Sequence, residues 1–192
     1  MIVSIFPNNF YSLISAPNKE EIFKEFENPK VDRKESEAVT WNRNCYVKVE
    51  VLYPDQVAKF LKPTLDIFLA QFNFSVEVNI DQIWRNTYER GGYQEIHDHC
   101  EHGDLSGCLF LGDIRSSDGK FYFYNRHGSE VKTVWKKLLN SSTFGAIDMM
   151  NYCVAPKAGD VLLFPSYMLH GVTPHNSKKP RRTVSFNIYL EQ

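Results

Sequence analysis

The hydrophobic period of this chain changes once, and that change bounds what it can fold into. Between Pro54 and Phe72 the apolar residues Val57, Phe60, Leu61, Leu65, Phe68, Leu69 and Phe72 recur at three- and four-residue steps, the stripe of a helix packed against an apolar surface. Pro54 and Asp55 suit a helix start, while Pro63 predicts a break or kink within it. From Phe74 onward the period becomes two, in segments near 75–80, 82–88, 93–99, 107–111, 120–125, 160–165, 168–173 and 181–190, separated by Gly, Asp, Asn or Pro. Many short strands joined by turns make a sandwich or barrel, and the helical signals fall in the N-terminal third. The expected fold is therefore mainly β with supporting N-terminal helices, a helix buttressing a jelly roll.

The 192 residues suit one domain over 1–192, with helical and strand support over 1–80 and the β core over 81–192. Ile2 to Phe6 reads as a short strand, Asn18 to Glu27 as a weakly amphipathic helix, and Asn28 to Ser36 as a polar connector. The stretch 126–152 resists the alternating pattern and is expected to be an insertion between strands. Such a chain buries a core without disulfides or structural metal, so a metal here is functional rather than architectural. Cys45, Cys100, Cys108 and Cys153 form no CxxC pair, which fits free thiols in a reducing compartment. The formal charge of −1 gives no global field for nucleic acid, and no apolar run reaches membrane-spanning length. Met1 to Pro7 lacks a basic leader segment, so the expected location is cytoplasmic. Oligomeric state is not legible.

The chemistry concentrates in Gln94-Glu95-Ile96-His97-Asp98-His99, answered downstream by His170 and Arg181. Strand alternation puts His97 and His99 on one face and Asp98 on the other. A non-haem Fe(II) centre needs three protein ligands with open positions opposite them, and two ligands from one strand with a third from a distant strand supply that. A single histidine is more often a hydrogen-bonded or surface side chain; three at this spacing point to a metal. A zinc site drawn from His97, His99, Cys100 and His102 is a competing assignment, although paired zinc-knuckle spacing is missing. His102 and Asp104 fall in an expected loop, and His127 and His175 read as surface residues.

Taken together, these residues resemble the 2-oxoglutarate and Fe(II)-dependent oxygenase superfamily, most closely a bacterial and phage group with an H-x-H…H…R pattern. The resemblance rests on Trp84-Arg85-Asn86, Arg90-Gly91-Gly92, His97-Asp98-His99 and Leu105-Ser106-Gly107. It continues through Gly159-Asp160, Phe164-Pro165-Ser166, His170 and Arg181 to Ser185-Phe186-Asn187, and so spans roughly residues 80 to 190. It implies a double-stranded β-helix of cupin-like type, with Fe(II) on His97, His99 and His170, and with 2-oxoglutarate and dioxygen as cosubstrates. The chain departs from the superfamily at His99, where an Asp or Glu is usual. Asp98 is aimed away by alternation, and Asp104 is the other carboxylate within reach of a local irregularity. A second departure is Leu109-Phe110, where relatives often carry a tyrosine that helps to hold the cosubstrate; by parity Tyr93, Tyr122 or Tyr124 would replace it.

A dicarboxylate needs a fixed cation at its far end, and guanidinium grips a carboxylate at two points. Arg181 is the expected cation, with Thr183, Ser185 and Asn187 continuing its face and Arg182, Val184, Phe186 and Ile188 on the other. Trp84 is expected in the core, and Asn86 either lines the site or caps a turn. The implied activity is a dioxygenase coupling 2-oxoglutarate decarboxylation to C–H oxidation of a small-molecule or peptide substrate, with Tyr122, Tyr124 and Trp135 as lid candidates. Two other readings carry different chemistry: a non-catalytic metal-binding module on the same scaffold, and a three-histidine cupin-type dioxygenase that does not use 2-oxoglutarate.

Overall fold

A computed structural model of the protein describes residues 9–72, 76–126 and 151–191. In chain order it contains β1 (Ser12–Ser15), α1 (Lys19–Glu27), β2 (Val31–Asp32), α2 (Arg33–Ala38), a 3₁₀ turn (Trp41–Asn44), β3 (Val47–Leu52) and α3 (Pro54–Leu69). There follow β4 (Glu77–Tyr88), β5 (Gln94–His97), β6 (Leu105–Phe110), β7 (Phe121–Tyr124), β8 (Asn151–Cys153), β9 (Asp160–Pro165), β10 (His170–Val172) and β11 (Arg181–Glu191). The strand expected over Ile2 to Phe6, His127, and the Trp135 part of the insertion lie outside the described residues.

The strands form two antiparallel sheets, a larger one ordered β1-β9-β6-β11-β4-β3-β2 and a smaller one ordered β5-β10-β7-β8. This is the double-stranded β-helix, or jelly roll. Alternation on the larger sheet sorts side chains into two cores. Leu105 and Leu109, Val161 and Leu163, and Val184, Phe186 and Ile188 join Ile22, Phe26, Leu61, Leu65 and Phe68 of α1 and α3 in the helix-side core. From the opposite face Cys108, Phe110, Leu162 and Phe164 meet Phe121, Phe123 and Val172 of the smaller sheet. Gly107 permits this packing, because a Cβ there would run into the Phe186 ring.

Several local expectations are corrected. Pro63 does not break α3, which runs unbroken through it because buried residues on either side, Val57, Leu61, Leu65 and Phe68, fasten one face to the sheet. The polar connector holds β2 and α2, and the Asp32 side chain accepts the Glu35 N–H at 3.1 Å to cap that helix. The segments read as 75–80 and 82–88 are one strand with a bulge, since Asn187 pairs with Gln82 but Ile188 pairs with Ile80. Within the N-terminal third, β1, β2 and β3 add strands to the larger sheet, so strands are not confined to the later part of the chain. Arg85 locks α1 to that sheet by donating to the Phe26 carbonyl at 2.9 Å and to Glu50 at 2.6 Å.

Candidate metal and carboxylate site

His97 ends β5 and His170 opens β10, and the two are partners in the antiparallel ladder. His99 lies just beyond β5, in a turn held by its own N–H donating to the Ser166 carbonyl at 2.8 Å. Each imidazole offers one nitrogen to a cluster in which those atoms lie within 4.8 Å of one another. His97 places Nδ1 2.7 Å from the Glu95 carbonyl and His170 places Nδ1 2.8 Å from the Met168 carbonyl. A carbonyl only accepts, so both Nδ1 atoms carry the proton and both Nε2 atoms keep a lone pair, that of His97 accepting from the Gln94 amide at 3.2 Å. Burial pushes all three imidazoles below the ordinary histidine range. His99 falls to about 4 as His97 and His102 add repulsion, and His170 falls well below its usual value. Near neutral pH the cluster is three uncharged donors, the form in which imidazole binds a metal.

Neither nearby carboxylate joins them. Asp98 is exposed and accepts the Cys100 N–H at 3.3 Å in its own turn. Asp104 accepts the Leu190 N–H at 2.9 Å, which fastens the loop to β11 and occupies the group that a local irregularity would have had to recruit. Among the described residues the His97, His99 and His170 group includes neither Cys100 nor His102, so the zinc alternative is not assembled.

The pocket in front of the histidines is lined by both sheets: Trp84, Tyr88, Cys108 and Phe164 from the larger, Gln94, Phe121 and Val172 from the smaller, and Arg181, Thr183, Ser185 and Asn187 along β11. Arg181 is 4% exposed, and its Nε, Nη1 and Nη2 have no hydrogen-bond partner among the described residues. Its guanidinium carbon lies 4.7 Å from the Tyr88 ring centre and 5.6 Å from that of Phe110, contacts that partly offset the burial of a charge. Burial pushes the Tyr88 phenol up to about 12 and the Cys108 thiol to about 11, so both are neutral. Thr183 and Asn187 are buried on the Arg181 face, and Arg182 is exposed on the other, as alternation requires. Asn187 accepts from Ser106 at 3.2 Å and donates to Gln82 at 3.2 Å, while Ser106 contacts Ser166, whose carbonyl holds the His99 turn.

The structure does not bring Tyr93 to this pocket. His170 pairs with His97 but Val172 pairs with Gln94, so β5 carries an extra residue that reverses its alternation. Gln94 therefore shares the His97 face, and Tyr93 packs elsewhere in the inter-sheet core. Tyr122 lies against Gly171, where a Cβ would meet its hydroxyl at 2.8 Å, and neither it nor Tyr124 lines the pocket. The tyrosine that does is Tyr88, whose hydroxyl donates to Gln94 Oε1 at 3.0 Å; the Gln94 amide nitrogen in turn lies 3.2 Å from His97 Nε2. Its place was readable, two residues beyond Asn86 on the face of Trp84. Trp84 stacks on His99 with ring centres 5.9 Å apart, and Asn86 is fully buried, donating to Ser185 at 3.0 Å instead of capping a turn. His175 is also corrected: it is fully buried, accepting the Gly119 N–H at 3.1 Å and donating to the Lys179 carbonyl at 2.9 Å.

Three converging imidazoles and a buried guanidinium that has no partner among the described residues lie in one pocket of a jelly roll, the donor types that a metal ion and a carboxylate would need. Residues 82–187, more than half of the chain, match a family model described as "Putative 2OG-Fe(II) oxygenase". The chain belongs to this family of Fe(II)- and 2-oxoglutarate-dependent oxidoreductases. No curated protein matches it by sequence. Solved structures agree on the fold. HygX from Streptomyces hygroscopicus with nickel and 2-oxoglutarate bound superposes with a TM-score of 0.61 at 15% identity, covering 95% of this chain and 83% of its own. An oxidoreductase of the 2OG-Fe(II) oxygenase family from Burkholderia pseudomallei gives 0.62 at 12% identity, with 93% and 83% covered. The viral collagen prolyl hydroxylase of Paramecium Bursaria Chlorella virus-1, in its 2OG complex, gives 0.61 at 14% identity, with 98% and 100% covered.

Proposed function

We propose that this protein is a dioxygenase that hydroxylates a C–H bond of a small molecule or peptide, with His97, His99 and His170 holding Fe(II) and Arg181 anchoring 2-oxoglutarate. The observation that carries the proposal is the buried Arg181 guanidinium, unpartnered among the described residues, in the same pocket as three neutral imidazoles. An uncompensated buried charge costs several kcal/mol, and a carboxylate that accepts from two of its N–H groups removes that cost. The donor set fits the metal as well. Three imidazoles suit Fe(II), and the negative charge that an acid at position 99 would bring is supplied by the cosubstrate. A cupin-type dioxygenase without 2-oxoglutarate leaves Arg181 unexplained.

When bound, iron and 2-oxoglutarate supply the oxidation: dioxygen and 2-oxoglutarate are consumed, succinate and carbon dioxide are released, and the second oxygen atom enters the substrate C–H bond. The chain's own contribution is positional. Glu95 and Met168 carbonyls fix the tautomers of His97 and His170, and the Asn187–Ser106–Ser166 chain holds the His99 turn. Thr183 stands beside Arg181 as a second donor to the anchored carboxylate. Phe121, Phe164 and Val172 keep the pocket dry, which strengthens each charge interaction inside it. The test is succinate release from 2-oxoglutarate in air. It is expected to require added Fe(II) and to disappear in His97→Ala, His99→Ala and His170→Ala; release without iron, or retention of stoichiometric zinc with no release, would overturn the reading.

A further inference from the structure

Beside the anchor pocket lies a wider groove of about 660 Å³, within the range of small-molecule sites. The two share Trp84, Gln94, His97 and His99, so the groove opens directly onto the histidine cluster. Its other walls come from α2, the 3₁₀ turn, the end of β3 and the bulge of β4. Its charge is one-sided: the lining carries Asp32, Glu35, Asp81 and Asp98 and, among the described residues, no lysine or arginine. In a chain with a formal charge of −1, this is a local concentration and not a reflection of overall acidity. Glu35, Asp81 and Asp98 are exposed, and none of the four takes part in an ion pair among the described residues. Two aromatic side chains, Trp41 and Tyr53, line the same groove while each remains 42% exposed. Large rings held half in water beside carboxylates present negative π-faces next to negative charges, and both attract the same kind of ligand.

We infer that the groove selects a cationic substrate, one carrying a protonated amine or a guanidinium beside an apolar or ring surface. Charge complementarity decides the occupant. An anionic substrate would meet four carboxylates, and a neutral one would leave Glu35 and Asp81 without a partner, whereas a cation pairs with Glu35 and Asp81 and stacks on Trp41 or Tyr53. The arrangement also separates two ligands by sign. The buried Arg181 draws the dicarboxylate to the deep pocket, and the acidic groove turns it away from the substrate's place. The inference rests on the oxygenase reading for its chemistry, though not for its binding.

The source of the cation is distinguishable. Spermidine, an arginine- or lysine-containing pentapeptide, the same peptide with its lysine acetylated, and a glutamate pentapeptide are titrated into the metal-free protein by calorimetry. The same panel is then tested for stimulation of succinate release by the iron-loaded protein. Spermidine or the basic peptide is expected to bind, acetylation is expected to abolish binding, and raising salt from about 50 to about 500 mM is expected to weaken it. Glu35→Gln with Asp81→Asn is expected to weaken binding and raise the KM for the stimulating cation by roughly tenfold with little change in kcat. Binding by spermidine alone assigns a free amine, and by the basic peptide alone a protein side chain. Equal binding by the acetylated or acidic peptide, no binding by any cation, or an unchanged KM in the double variant would overturn the inference. Loss of succinate release with cation binding intact would instead strike the iron and 2-oxoglutarate reading.

Discussion

The two sheets of this jelly roll divide the site between them, and they are built differently. The larger sheet contributes Arg181, Thr183 and Asn187 from β11, an eleven-residue strand paired with β4 along its length and with β6 from Thr183 to Ile188. The smaller sheet contributes His97 and His170 from strands of four and three residues, with a bulge between their pairings, and His99 from the turn beyond. The anchor end is therefore held by a long ladder whose register is unbroken from Arg181 to Asn187, the one bulge falling beyond Asn187. The metal end relies on side-chain and carbonyl contacts, and an ion bound there would itself join β5, β10 and the turn. Gln94 spans the gap, touching Tyr88 beneath the guanidinium and His97 in the cluster.

The sharpest way to break this comparison is at the metal end. His97→Ala or His170→Ala should lower Fe(II) affinity by more than the roughly 10–100-fold that losing a supporting partner costs, read by competition with a chelator. Affinity unchanged in either variant would show that the cluster is not the metal site. On the larger sheet, Gly107→Ala should destabilise the fold by about 1–3 kcal/mol in denaturant unfolding, because the new methyl displaces the buried Phe186 ring. Gly107 and Phe186 border the pocket from the larger sheet, so a disturbance should reach the anchor end before the His97–His170 ladder of the smaller sheet.

Acid should act on the smaller sheet first. The buried imidazoles have folded-state pKa values below the unfolded value of about 6.5, so between the two the unfolded chain binds more protons. Stability of the metal-free protein is then fully present above about pH 6.5 and is lost as pH falls toward the value of about 4 held by His99. Melting temperature followed across that window should fall in the native protein and fall less in His99→Gln. A flat profile would show that the imidazoles are not buried as described. The smallest effect is at the bridge: Tyr88→Phe removes one hydrogen bond to Gln94 and should cost about 1 kcal/mol, with a modest rise in the KM for 2-oxoglutarate.

The same contrast explains what the sequence revealed. Strand parity reads correctly where strands are long and paired on both sides, so the faces of β11 were legible residue by residue from Arg181 to Ile188. It fails in β5, where one extra residue exchanges Tyr93 for Gln94, because a four-residue strand is too short for the change of parity to show, whereas in the twelve-residue β4 the bulge did split the pattern. The helix-side core was legible in the stripe from Val57 to Phe68, but Pro63 misled, since tertiary packing on both sides of it outweighs one missing donor. In β3, Val47, Val49 and Val51 alternate with Lys48 and Glu50 and do carry a strand signal. His175 was not legible as buried: its partners are Gly119 and Lys179, and only the folded chain brings them together.

The central claim is that the imidazoles of one sheet and the guanidinium of the other are two ends of a single iron and 2-oxoglutarate site. It is tested most directly by titrating 2-oxoglutarate anaerobically into the Fe(II)-loaded protein and following the visible metal-to-ligand charge-transfer band, in the native chain and in Arg181→Met. The account predicts a saturable band in the native protein and the same band in the variant only at roughly 100-fold higher 2-oxoglutarate, because the imidazoles remain and the anchor is gone. A band that saturates alike in both proteins, or no band in either, would contradict it.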